Sequence, residues 1–281
     1  MKRVVVTGAA GLVGSEVAAF LEDHEVVSLT HDQLDITDRD AVEQSMGTLL
    51  PDAVINCAAY ADVDACERDP HTALLVNALG PRHLAIACAR VGAHLVHVST
   101  DYVFSGDKAV PYDEWDEPGP ISEYGRAKLG GEQEVMRHAG SWSIARTALV
   151  FGKRRPTFVD MVLARARTGE PIHGVEDVTG SPTSAADVAR VLARLAVERR
   201  EGCFHVVNQG SCSRYELARE VLELAGLDPA KVTRSTAAEL PWVARRPRNS
   251  ALVSIALERA RIAPMRHYRD ALEEHIGETC Q

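Results

Sequence analysis

The stretch VVVTGAAGLVG, residues 4–14, decides the fold of this chain. Its β-branched start predicts a buried strand, and the apolar periodicity of residues 12–21 predicts a helix. Glycines between the two let the backbone approach a diphosphate, while the helix N-terminus offers unpaired N–H groups and a positive dipole end. The alternative is a tight turn that binds nothing, but directly after a first strand the pattern favours nucleotide binding. The residues expected against the nucleotide are Gly8, Gly11, Leu12, Val13 and Gly14.

Strands and helices alternate from this turn to about residue 146. Further strands are predicted at residues 26–27, 53–56, 94–98 and from 143, with helices at 40–50, 77–91 and 123–138. Buried strands that alternate with helices form βαβ units with right-handed crossovers. The sequence therefore predicts an α/β fold built on a doubly wound parallel sheet.

The pattern loosens after residue 151, where we expect a smaller C-terminal lobe that interleaves with the sheet. Ser213 and Glu216 form a capping box at the start of one predicted helix. The other elements predicted here are helices at 158–168, 185–197 and 267–276, an extended segment at 171–174, a strand returning to the main sheet at 203–207, and a loop at 233–249. The expected domains are a dinucleotide-binding domain at residues 1–150, joined by 185–209, and a substrate-binding lobe at 151–184 and 210–281.

Composition excludes several classes of partner. The 281 residues are 46% hydrophobic and 25% charged, as in ordinary globular chains of about two domains. With 31 Lys and Arg against 40 Asp and Glu, the chain lacks the positive field that binds nucleic acid or anionic membranes. No apolar window approaches the roughly 20 residues of a membrane span, and no signal peptide is evident. The six cysteines lack metal-like spacing, so we expect reduced thiols, no metal and a cytoplasmic location.

The segment after the second strand bears on the choice of nucleotide. Selectivity for NAD usually comes from an acidic residue at this strand end, but residues 27–31 read VSLTH, without a carboxylate. Thr30 and His31 could donate to a 2′-phosphate, although no arginine is close in sequence. We therefore expect NADP(H) in preference to NAD(H). Asp35 and Ile36 are candidates to flank the adenine, and a turn that leads into the next helix is the alternative.

A tyrosine and a lysine four residues apart form a candidate proton-transfer pair. Tyr124 and Lys128 lie on one face of a predicted helix, one turn from each other. A nearby ammonium is expected to lower the pKa of the phenol from about 10, so that the phenol can give or take a proton. Lys128 could also hold the nicotinamide ribose. The same spacing is common on solvated helices, but its position behind a nucleotide-binding turn favours the catalytic interpretation.

The stretch STDYVF, residues 99–104, follows the fourth predicted strand. Ligands of open parallel sheets bind outside the carboxyl ends of the strands, so a run of hydroxyls there is well placed to meet a substrate carbonyl. We assign Thr100 as the group that polarises the carbonyl, with Ser99 and Asp101 as supporting polar groups. The alternative is that these side chains only end the strand and form a turn.

Together these residues resemble the extended short-chain dehydrogenase/reductase superfamily and, more narrowly, the dTDP-4-dehydrorhamnose reductase family. The shared stretches are residues 8–14, LDITD at 34–38, VINCAAY at 54–60, VNA at 76–78, STDYVF at 99–104, YGRAK at 124–128, RT at 146–147, GSPT at 180–183 and RPRNS at 246–250. The resemblance runs from residue 4 to about 250, and STDYVF and RPRNS are its most specific marks. It implies a Rossmann-type fold.

The resemblance also implies a reaction, in which hydride passes from NAD(P)H to the 4-keto carbon of a dTDP-4-dehydro-6-deoxyhexose. Tyr124 would protonate the alkoxide, Thr100 would hold the carbonyl oxygen, and Lys128 would tune Tyr124 and bind the ribose. Matching positions place Ala58, Ala59, Tyr60 and Ser99 along the cofactor, and Asp101, Val103, Leu149, Arg246 and Asn249 on the nucleotide-sugar side. The product would be dTDP-L-rhamnose or a related deoxysugar nucleotide, made by a monomer or homodimer.

The sequence departs from the family at Leu149, where the family usually carries an aromatic residue near the sugar. The diphosphate of the substrate is expected at Arg245, Arg246 and Arg248, because guanidinium groups pair with phosphate oxygens two at a time. Residues 153–155, KRR, could also reach a diphosphate, and a solvated loop tip is the preferred interpretation of that run. Two other functions stay open: an epimerase or dehydratase that retains its NAD, and a non-enzymatic regulatory subunit like that of methionine adenosyltransferase.

Overall fold

The computed structural model describes residues 1–279, so the predicted reduced thiol of Cys280 lies outside the described residues. The strands are β1 Arg3–Thr7, β2 Glu25–Leu29, β3 Ala53–Asn56, β4 His94–Thr100, β5 Trp142–Thr147, β6 Val150–Phe151, β7 Ile172–Val175, β8 Thr179–Gly180, β9 Thr183–Ser184, β10 Gly202–His205, β11 Cys212–Ser213 and β12 Val232–Ser235. The α-helices are α1 Arg39–Leu49, α2 Val63–Arg68, α3 Pro70–Leu74, α4 Gly80–Val91, α5 Glu123–His138, α6 Phe158–Thr168, α7 Ala185–Glu198, α8 Arg214–Leu224, α9 Ala256–Arg259 and α10 Tyr268–Thr279.

Six strands form one sheet in the order β10-β5-β4-β3-β1-β2, and every neighbouring pair is parallel. The chain starts at β1 near one side, moves outward to β2, and then returns through β3, β4 and β5 to β10. This reversal of direction is the topological switch of a doubly wound sheet, at whose carboxyl edge ligands bind. The predicted fold class is confirmed.

Alternate residues of the central strands face opposite layers of helices. Val4 and Val6 pack with α7 and with a 3-10 helix at Gly14–Phe20, while Val5 packs with residues of α1 and α4. All three valine side chains are completely buried. Helices cover both faces of the sheet, which is why its strands read as continuous β-branched runs and not as alternating ones.

A second core lies beyond the carboxyl edge of the sheet. It is formed by α6, α8 and α10 with the short strands β7 and β12, which pair in parallel. Two further short pairs, β6 with β9 and β11 with β8, lie between this core and the main sheet. The region therefore carries its own apolar centre while its chain crosses repeatedly to the sheet.

Several predicted elements differ in detail from the structure. The helix expected at 12–21 is the 3-10 helix Gly14–Phe20, and the start of the helix expected at 77–91 is a π-helical turn at Leu75–Leu79. Apolar spacing over so few residues does not distinguish these helix types. The predicted loop at 233–249 contains most of β12, because its pairing with β7 is a tertiary contact. The capping box of Ser213 and Glu216 is confirmed at the start of α8.

Candidate functional site

The glycine turn lies against the end of β3 so closely that side chains are excluded. Gly8 has φ +66°, and a Cβ there would lie 2.5 Å from the amide nitrogen of Ala58. A Cβ on Gly14 would lie 2.4 Å from the carbonyl oxygen of Gly8, and one on Gly11 would lie 3.0 Å from the same atom. The turn is thus a cradle of bare backbone, which is the surface that a dinucleotide diphosphate requires.

A cavity of about 350 Å³ opens beside this cradle, at the carboxyl ends of β1, β2 and β3. Its lining includes eight residues predicted for the cofactor: Gly8, Gly11, His31, Asp35, Ile36, Ala58, Ala59 and Tyr60. It also includes five that were not predicted: Ala10, Leu34, Cys57, Val76 and Arg155. Most of the predicted cofactor residues, although spread over more than fifty positions of sequence, therefore line one cavity.

Four other residues predicted for the cofactor do not line this cavity: Leu12, Val13, Thr30 and Ser99. Leu12 lies against Gly152, and Val13 packs against the apolar core. The hydrogen-bond donors of Thr30 already have a neighbouring acceptor, since its N–H and its hydroxyl both donate to the side-chain oxygen of Gln33. The Ser99 hydroxyl points into the protein, where it donates to Glu132 at 2.6 Å. Ser99 is buried and its hydroxyl has an internal acceptor, and its contact with the cofactor stays a prediction.

The proposed proton-transfer groups meet where β4 ends and α5 begins. Thr100 is the last residue of β4, and its hydroxyl donates to the Asp101 carboxylate at 2.9 Å. Tyr124, in the first turn of α5, lies beside Thr100, and its ring stands edge-on to that of Tyr102 with the centroids 5.8 Å apart. The side chain of Lys128, one turn further along α5, donates to the carbonyl oxygen of Val98 at 2.7 Å.

Burial governs the pKa values of this pair. It raises the pKa of the Tyr124 phenol, and the hydrogen bond with Thr100 opposes the rise only in part. Burial lowers the pKa of Lys128 to about 8, with the Glu132 carboxylate acting in the opposite direction. The pKa of Tyr124 is therefore raised in this arrangement, in contrast to the lowered pKa expected from the sequence, because desolvation of the phenolate dominates.

A buried ion pair supports α5 from below. The Arg146 guanidinium donates to both carboxylate oxygens of Glu132, at 2.9 and 2.7 Å, and both side chains are almost completely buried. Glu132 is one turn beyond Lys128 on the same face of the helix. The pair joins α5 to β5, while Ser99 joins the same carboxylate to β4. Helix α5 is thus linked to both β4 and β5 beneath the site.

Three residues predicted for the nucleotide sugar follow β4 or β5 in the chain. Asp101 is buried beside Thr100, and burial raises its pKa to about 6. Val103 is completely buried in an apolar cluster with Phe104, so its side chain cannot line a substrate surface as predicted. Leu149 has φ +41° and packs so closely on Gly180 that a Cβ there would lie 2.7 Å from Leu149 Cδ1.

Two further candidates already have partners within the protein. Arg246 pairs with Asp64 at 2.9 Å and stacks over the Trp242 ring. The Asn249 amide donates to the carbonyl oxygens of Lys108 and Val110, which ties the segment after Arg246 to the loop after β4. For Asn249 the structure indicates a role in holding this loop, in place of the predicted direct contact.

Sequence reasoning missed one guanidinium group on the substrate side. Arg214, the first residue of α8, lies over the Phe158 ring and close to Asp101 and Tyr102, whose pKa values it lowers against the effect of burial. The capping box located the start of this helix. No spacing in the sequence connects it with STDYVF, more than a hundred residues earlier. Its position facing Tyr102 depends on the packing of the second core against the sheet.

Residues 1–279 contain neither a metal cluster nor a membrane-spanning helix. Within residues 1–279, no group of three or more His, Cys, Asp or Glu side chains could hold a metal ion. None of the helices in that part of the chain is long and apolar enough to cross a membrane. The five cysteines described there are all free thiols.

A parallel sheet with a glycine cradle at its carboxyl edge, and a Tyr–Lys helix beside it, defines an extended short-chain dehydrogenase/reductase. The family described as RmlD substrate binding domain matches residues 1–280. The dTDP-4-dehydrorhamnose reductase of Mycobacterium tuberculosis is 43% identical over 279 residues, covering 96% of this chain and 91% of that protein. The chain belongs to the dTDP-4-dehydrorhamnose reductase family.

Solved structures agree over the whole chain. A dTDP-4-dehydrorhamnose reductase of Clostridium acetobutylicum superposes with a TM-score of 0.96 at 38% identity, covering 99% of this chain and 100% of that one. The dTDP-4-dehydrorhamnose reductase of Bacillus anthracis, solved in complex with NADP, superposes with a TM-score of 0.95 at 35% identity, covering 99% of each chain. Both overlays include the second core as well as the sheet.

Proposed function

We propose that this protein catalyses the NADPH-dependent reduction of the 4-keto group of a dTDP-4-dehydro-6-deoxyhexose. The observation that carries the proposal is the meeting of Thr100 and Tyr124 at the carboxyl edge of the sheet, next to the glycine cradle. Relatives named dTDP-4-dehydrorhamnose reductase, which this chain matches over 91% and 85% of their length, support the choice of substrate. The product is dTDP-L-rhamnose or a related deoxysugar nucleotide.

The residues present fit a nicotinamide dinucleotide. The cradle of Gly8 and Gly14 excludes any Cβ and accepts the diphosphate, and the cavity of about 350 Å³ beside it accepts the adenosine end. Lys128 is placed to hold the nicotinamide ribose. The missing carboxylate at the end of β2 and the NADP bound by the Bacillus anthracis relative support NADP(H) over NAD(H). When bound, NADPH supplies the hydride.

Tyr124 is the proton donor in this proposal. Because burial raises its pKa, the phenol stays protonated at neutral pH, as an acid must before it meets the alkoxide of a reduced carbonyl. The Thr100 hydroxyl, beside the phenol, donates to the same oxygen and holds it within reach of the proton. The Asp101 carboxylate accepts from Thr100 in the unliganded arrangement and so keeps that hydroxyl oriented.

The second core supplies the substrate lobe. We assign residues 1–150 with 185–209 to cofactor binding, and 151–184 with 210–281 to the nucleotide sugar. We assign Arg214 and Arg246, which approach Tyr102 from different segments, to the diphosphate of the substrate. We also propose a cytoplasmic monomer or homodimer, which size-exclusion chromatography with light scattering would distinguish.

The test is a reduction assay with the purified protein, NADPH and dTDP-4-dehydro-6-deoxy-L-mannose. We expect substrate-dependent loss of reduced-nicotinamide absorbance and, by NMR, a new C4 hydroxyl in the product. No oxidation with this or a related 4-keto sugar would overturn the proposal. Rearrangement of a nucleotide sugar without net consumption of NADPH would instead identify an epimerase or dehydratase, and binding to methionine adenosyltransferase without turnover would identify a regulatory subunit.

A further inference from the structure

A short loop at residues 152–157 crosses over the glycine turn and is fixed at both ends. At its start, Gly152 lies so close to Leu12 that a Cβ would be 3.2 Å from Leu12 Cδ1. At its end, Thr157 caps α6 together with Asp160, whose carboxylate accepts from the Thr157 N–H at 2.7 Å. The loop therefore starts against the glycine turn and ends in the cap of α6, and both of its ends are fixed by these contacts.

Arg155 is the residue of this loop that lines the cavity. Its neighbour Lys153 is neutralised by an ion pair with Glu278 at 2.8 Å. Arg155 has no hydrogen bond or ion pair with any residue between 1 and 279. Pro156 follows it and disfavours a helical backbone at Arg155, which limits the directions that the side chain can take. An unneutralised guanidinium thus borders the cavity of an acidic protein.

The composition of the cavity indicates which part of the cofactor this cation meets. Among residues 1–279, its basic lining residues are His31, just after β2, and Arg155, and its acidic one is Asp35. One oxygen of the Asp35 carboxylate already accepts from the N–H and hydroxyl of Thr37. The end of β2 is where doubly wound folds place the adenosine ribose, whose 2′ position distinguishes NADP(H) from NAD(H). The two basic groups outnumber this one acidic group, whose carboxylate already accepts from Thr37, so the lining suits a phosphate.

We propose that Arg155, with His31, binds the 2′-phosphate of NADP(H) and so selects NADP(H) over NAD(H). The inference rests on the proposed function for the identity of the cofactor. A guanidinium matches phosphate geometry with two parallel hydrogen bonds, which an imidazole alone cannot offer. The selecting cation comes from a segment more than a hundred residues after β2, in place of an arginine adjacent to that strand.

The test is equilibrium binding of NADPH and NADH without sugar, followed by nicotinamide fluorescence, for the unaltered protein, Arg155→Gln and Arg154→Gln. Arg154 is the matched control, because it is exposed in the same loop and does not line the cavity. We expect Arg155→Gln to weaken NADPH binding about tenfold and NADH binding less than twofold, since only NADPH carries the 2′-phosphate. Arg154→Gln should leave both affinities within twofold.

Three outcomes would overturn the inference. An equal loss of affinity for both cofactors in Arg155→Gln would mean that the guanidinium contacts the diphosphate that both share. No loss of affinity for either cofactor would mean that Arg155 does not contact the cofactor. If Arg154→Gln showed the same NADPH-specific loss of affinity, the effect would come from the overall positive charge of the loop and not from Arg155. These results leave the reductase function intact, whereas failure of the unaltered protein to bind either nucleotide would overturn the proposed function together with this inference.

Discussion

The ammonium group of Lys128 donates a 2.7 Å hydrogen bond to the backbone carbonyl oxygen of Val98. Val98 lies two residues before the end of β4, so the bond joins the helix that carries Tyr124 to the strand that ends in Thr100. The two reacting side chains are therefore placed by the contact between α5 and β4. Tyr124 and Lys128 share a helix face, but it is this strand carbonyl that accepts the hydrogen bond from the lysine.

The first prediction concerns alkaline pH. Burial lowers the pKa of Lys128 to about 8, so the cation is fully present below that pH and is lost above it. If the cation holds the nicotinamide ribose, kcat/KM for NADPH should fall about tenfold per pH unit above pH 8, with the slope of a single proton. The measurement is a pH profile from 6 to 10, roughly the range around that pKa. A flat profile would show that the neutral amine serves equally well.

The second prediction follows from the same burial and concerns stability. Lys128→Met removes a desolvated charge, so it should raise the free energy of unfolding by about 1 kcal/mol at pH 7 while activity is lost. The folded-state pKa lies below the ordinary value of 10.5, so the gain is fully present below about pH 8 and shrinks as the pH rises toward 10.5. Urea unfolding at pH 7 and at high pH measures it. Equal gains at both pH values would contradict desolvation as the cause.

The third prediction tests the proton donor. Tyr124→Phe should lower kcat by about 10²- to 10⁴-fold, because the phenyl ring fills the same space but has no proton to give. The Kd for NADPH should change less than about threefold. Tyr215→Phe, on α8, is the matched control and should leave kcat unchanged. If Tyr124→Phe retained its activity, another group would have to be the proton donor.

The fourth prediction concerns the buried ion pair beneath α5. Glu132→Gln leaves the Arg146 guanidinium desolvated without a counter-charge and should cost about 3 kcal/mol of unfolding free energy. The double variant Glu132→Leu with Arg146→Leu removes both charges and should be less destabilised than Glu132→Leu or Arg146→Leu alone. A double-mutant cycle by urea unfolding gives the coupling energy, and strict additivity would mean that the pair contributes no direct interaction.

The fifth prediction separates backbone strain from close contact in the glycine turn. Gly8 and Gly92 both have positive φ, +66° and +75°, but a Cβ at Gly92 meets nothing within 4 Å. Gly92→Ala should therefore cost only about 1 kcal/mol and leave NADPH binding unchanged. Gly8→Ala should in addition push the turn away from Ala58 and weaken NADPH binding at least tenfold, by about 1.4 kcal/mol. Similar affinities in the two variants would contradict the contact argument.

Local patterns predicted a large part of the molecule. The sheet, its strand–helix alternation and the capping box at Ser213 follow from side-chain periodicity, which depends on neighbours in the chain. The pairing of Tyr124 with Lys128 on one helix face follows from their spacing alone. The pKa of Tyr124 did not follow, because desolvation depends on everything that packs around the phenol.

The sequence by itself thus determined the class of fold, through strand–helix alternation up to about residue 146. It also determined the glycine cradle and the Tyr–Lys helix, since each of these is encoded within about fifteen consecutive residues. Only the tertiary structure decided which cations reach the site. Arg246 pairs with Asp64, 182 positions away, while Arg155 borders the cofactor cavity and Arg214 approaches Tyr102. The physical reason is that such contacts arise where the second core packs on the sheet edge, and that packing has no signature in local spacing.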